Sequence, residues 1–172
     1  MKEENPDTIL FYRLGDFYEM FFEDAKLVSQ ELDLVLTGRS AGVEEKVPMC
    51  GVPFHAANSY IQRLVKKGYK VAICEQLEDP SSAKGLVDRG IVKIITPGTY
   101  MDATMDAKTS NYMASCDVSS FEITVIYCEL STGELKYQTL QRSLVALQKA
   151  LLEQNVSELV CPMSMDKKWM SA

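Results

Sequence analysis

The 172-residue sequence contains a single histidine, His55, and no pair of cysteines spaced as CxxC. These absences exclude a two-histidine metal motif and a catalytic centre built from several histidines. The five cysteines are odd in number and widely spaced, which favours reduced thiols over a disulfide framework or a zinc site. A Cys–His pair stays possible, although no spacing points to one. We therefore expect a reducing, cytoplasmic environment and no bound metal.

Long apolar segments are also missing. No apolar run reaches the roughly 18–20 residues that cross a bilayer. The N-terminal stretch "MKEENPDTIL" is acidic and lacks the apolar centre of a signal peptide. The sequence therefore predicts neither a membrane partner nor export. With 47% hydrophobic and 24% charged residues, the composition is that of a globular chain able to bury a core.

Positive charge is scarce and unevenly placed. The net charge of −6 argues against wholesale binding to a polyanion. Residues 1–38 hold three basic and nine acidic side chains, and residues 101–172 hold six and nine. Residues 39–100 hold nine basic and six acidic side chains, a net +3. We expect any contact with phosphates to come from this middle stretch.

The first 100 residues alternate strand and helix patterns. Around the turn residues Gly15 and Asp16, "TILFYRLGDFYEMFF" predicts a strand, a turn and a second strand. Further strands are predicted from "DLVLT", "VPMCGVP", "YKVAICEQL" and "GIVKIITPG", and helices from "EDAKLVSQEL" and "HAANSYIQRLVKKG". Between them lie the predicted loops "GRSAGVEEK" and "EDPSSAKG". This order predicts a mixed α/β layer.

A second unit is predicted after a linker at residues 101–110, where small and polar residues show little periodicity. From residue 111 the patterns predict three antiparallel strands, a helix with Leu144, Leu147 and Leu151 on one face, and one more strand. The residues Ser131-Thr132-Gly133 are a hairpin signal between the second and third of these strands. The sequence stops where this sheet would need further elements to cover it, so we expect the rest of the domain to lie elsewhere.

Two motifs suggest enzymes. The stretch "GLVDRGI", from Gly85 to Ile91, has the glycine spacing of a phosphate-binding loop, but the lysine and the Ser/Thr that should follow are missing. We interpret it as a loop before a strand, without a nucleoside triphosphate site. Asp117 and Glu129 lie on predicted strands and could hold magnesium in a nuclease. Since no third acid is well placed, surface carboxylates are the favoured interpretation and the nuclease is the alternative.

The stretch "GDFYEM" contains the most informative pair. In a strand, Phe17 and Glu19 point to one face, and Tyr18 and Met20 point to the other. The second pair suits a core. The first pair fits either a solvent-facing hairpin with one exposed ring or a wedge that stacks on a base beside a carboxyl that bonds the base edge. The residues alone favour the exposed hairpin.

Longer stretches resemble a known family. In order, "FYRLGDFYEMFFEDA", "VPMCGVPFHA", "VAICEQLEDPSSAKGLVDR" and "KIITPGT" resemble successive motifs of the MutS family of DNA mismatch-repair proteins, from about Asp7 to Thr99. "NYMASC" through "ELVCP" resembles the first part of the family's connector domain. The resemblance covers nearly the whole sequence.

The resemblance implies a mismatch-recognition domain at residues 1–100, an α/β fold with a mixed β-sheet flanked by helices. At residues 111–172 it implies the start of an RNase-H-like α/β connector domain without nuclease activity. The chain would be non-catalytic, since the family's lever, clamp and ATPase domains are absent from it. ATP and magnesium are then expected only for the full-length protein, which would be a dimer. The implied partners are mismatched double-stranded DNA and a MutL-like repair protein, in the bacterial cytoplasm at the nucleoid.

The resemblance also implies site residues. The family's Phe-x-Glu motif falls on Phe17 and Glu19: the ring stacks on the mispaired or unpaired base from the minor groove of a kinked duplex, and the carboxyl bonds that base. Arg39, in "TGRS", and Arg89, in "VDRG", match basic positions near the DNA backbone. Gly38 stands where the family often has a second basic residue, so we expect weaker backbone contact there.

The carboxyl of Glu19 would favour mismatched over intact DNA. When ionised, it is repelled by phosphates, which penalises binding to intact duplex. If its partner is a purine N7 or a pyrimidine oxygen, both of which are acceptors, the carboxyl must carry a proton. Desolvation and nearby phosphates both favour the protonated form.

Overall fold

The structure, a computed structural model, describes residues 1–40, 46–77, 88–101 and 110–170. It divides into two compact units, Met1–Thr96 and Pro97–Ala172. The linker predicted at residues 101–110 falls almost wholly outside the described residues, as do most of the two predicted loops of the first unit, so the domain bounds at 100 and 111 stay predictions. None of the helices in the described ranges is long and apolar enough to cross a bilayer.

The first unit is built on one six-stranded sheet with the strand order β3-β4-β2-β1-β5-β6. Among the described strands, β1 and β5 run parallel and the other neighbours are antiparallel, so the sheet is mixed, as the resemblance implied. The strands are β1 (Thr8–Leu14), β2 (Phe17–Phe21), β3 (Thr37–Arg39), β4 (Val47–Pro53), β5 (Lys70–Gln76) and β6 (Arg89–Ile95). The helices are α1 (Phe22–Leu32) and α2 (Ala57–Lys66), the latter preceded by a 3-10 turn at Phe54–Ala56.

Most of the core of this unit lies on one face of the sheet. The helices α1 and α2 contact each other and cover the same face, where the Cys50 thiol donates a hydrogen bond to the Ala25 carbonyl at 3.5 Å. Fully buried side chains from both layers meet there: Phe11, Met20, Val28, Val52 and Leu64. The opposite face of β1, β2 and β4 is therefore left for other contacts.

The predicted strand "DLVLT" is largely wrong. Helix α1 ends at Leu32, and Asp33 then takes a left-handed backbone conformation with φ of 56°. The Leu34 N–H donates to the Ser29 carbonyl at 3.0 Å, which satisfies the end of the helix. Because this backbone group closes the helix, it cannot pair in the sheet, and β3 starts only at Thr37.

The second unit has a four-stranded mixed sheet in the order β10-β7-β8-β9. Its elements are β7 (Tyr112–Val118), β8 (Glu122–Glu129), β9 (Glu134–Gln141), α3 (Leu144–Glu153), β10 (Val156–Val160) and the short α4 (Lys167–Met170). The three antiparallel strands, the helix and the final strand are confirmed, and β10 lies parallel to β7. Gly133, with φ of 72°, closes the predicted hairpin. The sequence did not predict α4, which contributes the buried Trp169 to the core.

Candidate nucleic-acid interface

The side chains of β2 alternate between the two faces of the sheet, as the sequence "GDFYEM" predicts. Tyr18 and Met20 are 5% and 0% exposed, whereas Phe17 is 48% exposed. Gly15, with φ of 57°, makes the turn that starts this strand. A single exposed ring is common on protein surfaces, so Phe17 is a contact candidate because of the other groups that share its face.

Tyr18 anchors β2 on the buried face of the sheet. Its hydroxyl donates a hydrogen bond to Glu75 on β5, and burial, then this hydrogen bond, raise the pKa of Tyr18 to about 12. The ring lies 5.9 Å from the ring of Phe54, which the guanidinium of Arg13 covers at 3.5 Å. Because Tyr18 is held on all these sides, its neighbour Phe17 is kept pointing outward.

Other rings and a cation share the face of Phe17. Tyr12 lies directly opposite Glu19 in the β1–β2 pair and therefore points to the same side. Its ring meets that of Phe21 edge-on at 6.5 Å, and the Arg89 guanidinium lies 5.5 Å from its centroid. Aromatic rings beside arginines are the combination that stacks on bases and contacts phosphates.

Glu19 does not stand free on this face. Its Oε2 lies 2.6 Å from Nη1 of Arg39, and the two side chains are 17% and 50% exposed. Arg39 belongs to β3, which is separated from β2 by β4, so the pair bridges two strand spacings, about 9–10 Å. On β4, Gly51 lies opposite Glu19, and a Cβ atom there would be 3.6 Å from Glu19 Cγ. The missing side chain leaves room for the carboxylate to lie over β4.

The structure thus places Phe17, Glu19, Arg39 and Arg89 on one face of one sheet. The sequence had suggested Glu19 and Arg39 as two separate contacts, and their ion pair was missed. The two residues are 20 positions apart, so no local pattern signals the pair. His55 is exposed in the 3-10 turn. Of the phosphate-loop-like stretch, residues 85–87 fall outside the described residues.

The structure does not support the nuclease alternative. Asp117 pairs with Thr124 and Glu129 pairs with Tyr112, so the two carboxylates are five positions apart along β7, roughly 17 Å. They also point to opposite faces, since Tyr112 is buried and Asp117 is exposed. One magnesium ion needs its ligands at about 2.0–2.1 Å and cannot contact both. Among the described residues, no group of three or more His, Cys, Asp or Glu side chains could hold a metal ion.

Glu129 instead organises the β8–β9 hairpin. Its carboxylate accepts hydrogen bonds from the Ser131 hydroxyl at 2.8 Å and from the Thr132 N–H and hydroxyl, both at 2.7 Å. These bonds favour the charged form and lower the pKa of Glu129 to about 2, from an ordinary value of 4.5. The residue that sequence reasoning offered as a metal ligand is a turn-forming group.

We expect Glu129→Ala to destabilise the second unit and to remove part of its acid sensitivity. Because the folded pKa is lowered, the stabilisation from this carboxylate is fully present above about pH 4.5 and is lost as the pH falls towards about 2. Urea unfolding of the wild type and the variant at pH 7 and pH 3 measures this, and the difference between them should shrink at pH 3. The control is Glu122→Ala, an exposed carboxylate on the same strand. An equal loss from both substitutions, or a pH-independent one, would contradict the assignment.

Comparison with known proteins agrees with this architecture. The family model described as MutS domain I matches residues 1–104. The DNA mismatch repair protein MutS of Clostridium botulinum is 52% identical over 168 aligned positions, which cover 92% of this chain and 18% of that protein. The protein of the same name from Clostridium beijerinckii is 54% identical over 167 positions, covering 91% and 18%. The chain spans about 18% of the length of these curated relatives. It belongs to the MutS family of DNA mismatch repair proteins.

Proposed function

We propose that the first unit recognises mispaired or unpaired bases in duplex DNA. The observation that carries the proposal is the outward ring of Phe17, 48% exposed on a strand anchored by buried neighbours, with the Glu19 carboxylate on the same face. The ring enters the base stack and recovers about 1–3 kcal/mol by stacking. Stacking does not depend on base identity, which a general mismatch sensor requires.

Deformability supplies the selectivity of this wedge. A duplex resists the kink that an inserted ring requires, and the cost depends on how well the local bases stack and pair. Mispaired bases stack and pair poorly, so the same ring enters there at lower cost. Glu19 then gains a hydrogen bond to the exposed base edge, and this bond is not offered by an intact pair.

Among the described residues, two arginines lie on the proposed interface. Arg89 lies against the Tyr12 ring and Arg39 pairs with Glu19, and the sequence as a whole has a net charge of −6. Two phosphate contacts give weak, salt-sensitive binding, because each contributes about 0.9 to the slope of log K against log salt. Most of the backbone contacts are therefore expected from the rest of the MutS protein and from a second subunit.

We expect the isolated 172-residue chain to bind DNA weakly and to prefer a G·T duplex over the matched duplex. On the G·T duplex, the slope of log K against log salt should be about −2. Fluorescence anisotropy with two labelled duplexes that differ only at the mismatch measures both quantities. An NMR titration adds the location, since the resonances of β1 and β2 should shift with the G·T duplex. Tight binding without mismatch preference, or shifts confined to the helices, would contradict the proposal.

The second unit is proposed as the start of an RNase-H-like connector domain. Three antiparallel strands, a helix, and a strand that joins the first strand in parallel support this assignment. Its role would be to pass the DNA-bound state to the ATPase of the full-length protein and to a MutL-like partner, without catalysis of its own. ATP and magnesium belong to that ATPase.

A further inference from the structure

The ion pair between Glu19 and Arg39 joins two groups that the proposed function assigns to DNA. The carboxylate is proposed to bond a base, and the guanidinium is proposed to contact a phosphate. In the structure, Nη1 of Arg39 lies 2.6 Å from Oε2 of Glu19, so each group compensates the charge of the other. While this contact holds, each group offsets the charge that the other would present to DNA, so the two DNA contacts are linked.

We propose that Arg39 is a positioning residue for Glu19, and that the two exchange partners only when a mismatched base is present. This inference rests on the proposed function. In the closed arrangement, Arg39 neutralises Glu19 and holds its carboxylate over Gly51. In the open arrangement, Arg39 binds a phosphate and Glu19 bonds the base beside Phe17.

Intact duplex keeps the pair closed. A phosphate that takes Arg39 leaves an ionised carboxylate, itself only 17% exposed, facing a polyanion without its counter-charge. The gain of one phosphate contact is then offset by the loss of the ion pair and by the new repulsion. Arg39 therefore contributes little to binding of intact DNA, although half of its side chain is accessible.

A mismatch breaks the ion pair, because the exposed base offers Glu19 another hydrogen-bond partner. A base amino or imino group at the kink can donate to the carboxylate, or the carboxyl can take a proton and donate to the base. In both cases Glu19 no longer needs Arg39, and the guanidinium becomes free for a phosphate. Specific recognition by Glu19 and non-specific attachment by Arg39 thus strengthen each other.

The number of phosphate contacts distinguishes this exchange from simple attachment. In the full-length protein that contains this chain, Arg39→Ala should reduce the magnitude of the salt slope by about 0.9 on a G·T duplex and leave it unchanged on the matched duplex. The Glu19→Gln variant has already lost the ion pair, so its Arg39 can contact a phosphate of either duplex. Adding Arg39→Ala to this variant should therefore reduce the magnitude of the slope by about 0.9 on both duplexes. Arg39→Lys should restore the wild-type pattern in part, since lysine can pair with either partner.

The control is Lys46→Ala, which removes one positive charge near β3, beside Gly38, and leaves the Glu19–Arg39 pair in place. Lys46→Ala should change the salt slope equally on the two duplexes, both in the wild type and in the Glu19→Gln variant. Equal loss of slope on matched and mismatched DNA after Arg39→Ala in the wild-type background would overturn the exchange and make Arg39 an ordinary phosphate contact. Absence of mismatch preference in the wild type would instead overturn the proposed function itself, so the two failures are distinguishable.

Discussion

Phe17→Ala is expected to abolish the preference for mismatched over matched DNA while the fold stays intact. The substitution removes a stacking contribution of about 1–3 kcal/mol that is gained only where the ring can enter the stack, which corresponds to a loss of about 5- to 150-fold in affinity for a G·T duplex. Affinity for the matched duplex should barely change, because the ring does not enter a well-stacked site. Fluorescence anisotropy with both duplexes measures the ratio.

The structure predicts why this substitution is tolerated. The Phe17 ring is 48% exposed, and the strand is anchored by Tyr18 through its hydrogen bond to Glu75, which the substitution leaves in place. The control is Phe121→Ala, a ring that is 88% exposed in the second unit. The circular dichroism spectrum should match the wild type for both variants. If Phe17→Ala keeps the mismatch preference with an unchanged spectrum, the wedge is ruled out.

The alternation of β2 was predictable from the sequence because it is a local property. In any strand, residues two apart share a face, and the aromatic and apolar side chains of Tyr18 and Met20 identify the buried one. The hairpin was equally readable, since a glycine followed by an aspartate between two apolar runs is a turn signal. Local chemistry thus determined where Phe17 and Glu19 point, but not what they touch.

Contacts that depend on strand order were not predictable. The pairing of Glu19 with Arg39 requires β4 to lie between β2 and β3, and the sequence contains no signal for that order. The wrong strand at "DLVLT" has a related cause, because a helix end and a strand start compete for the same backbone groups. The Leu34 N–H bonds back to α1 instead of pairing in the sheet, and apolar composition alone cannot decide that competition.

The role of Glu129 was missed for a different reason. Its partners Ser131 and Thr132 lie two and three positions away, within a stretch already recognised as a hairpin turn. A carboxylate two positions before Ser-Thr-Gly can accept hydrogen bonds from the backbone and hydroxyl donors of those residues. As an acidic residue on a predicted strand, Glu129 was a candidate metal ligand, whereas its surroundings identify its structural role.

Glu19→Gln is expected to keep binding to mismatched DNA and to strengthen binding to matched DNA by about tenfold, or about 1.4 kcal/mol. The amide keeps the size and the hydrogen-bonding capacity of the side chain but removes the charge that phosphates repel. It also releases Arg39 from the 2.6 Å ion pair, so that the guanidinium can contact a phosphate of intact duplex. Discrimination should therefore fall because the affinity for matched DNA rises, which is opposite to the effect of Phe17→Ala.

A matched control exists on the opposite face of the sheet. Glu31→Gln also removes one carboxylate and breaks an ion pair, here with Lys67 at 2.7 Å, but on helix α1 away from the proposed interface. Its effect on net charge is the same, so a change caused only by overall charge would appear in both variants. We expect the gain in matched-duplex affinity for Glu19→Gln alone, measured by anisotropy at two salt concentrations. Equal discrimination by wild type and Glu19→Gln would show that the charge of Glu19 does not oppose intact DNA, and the ring of Phe17 would then account for mismatch selection by itself.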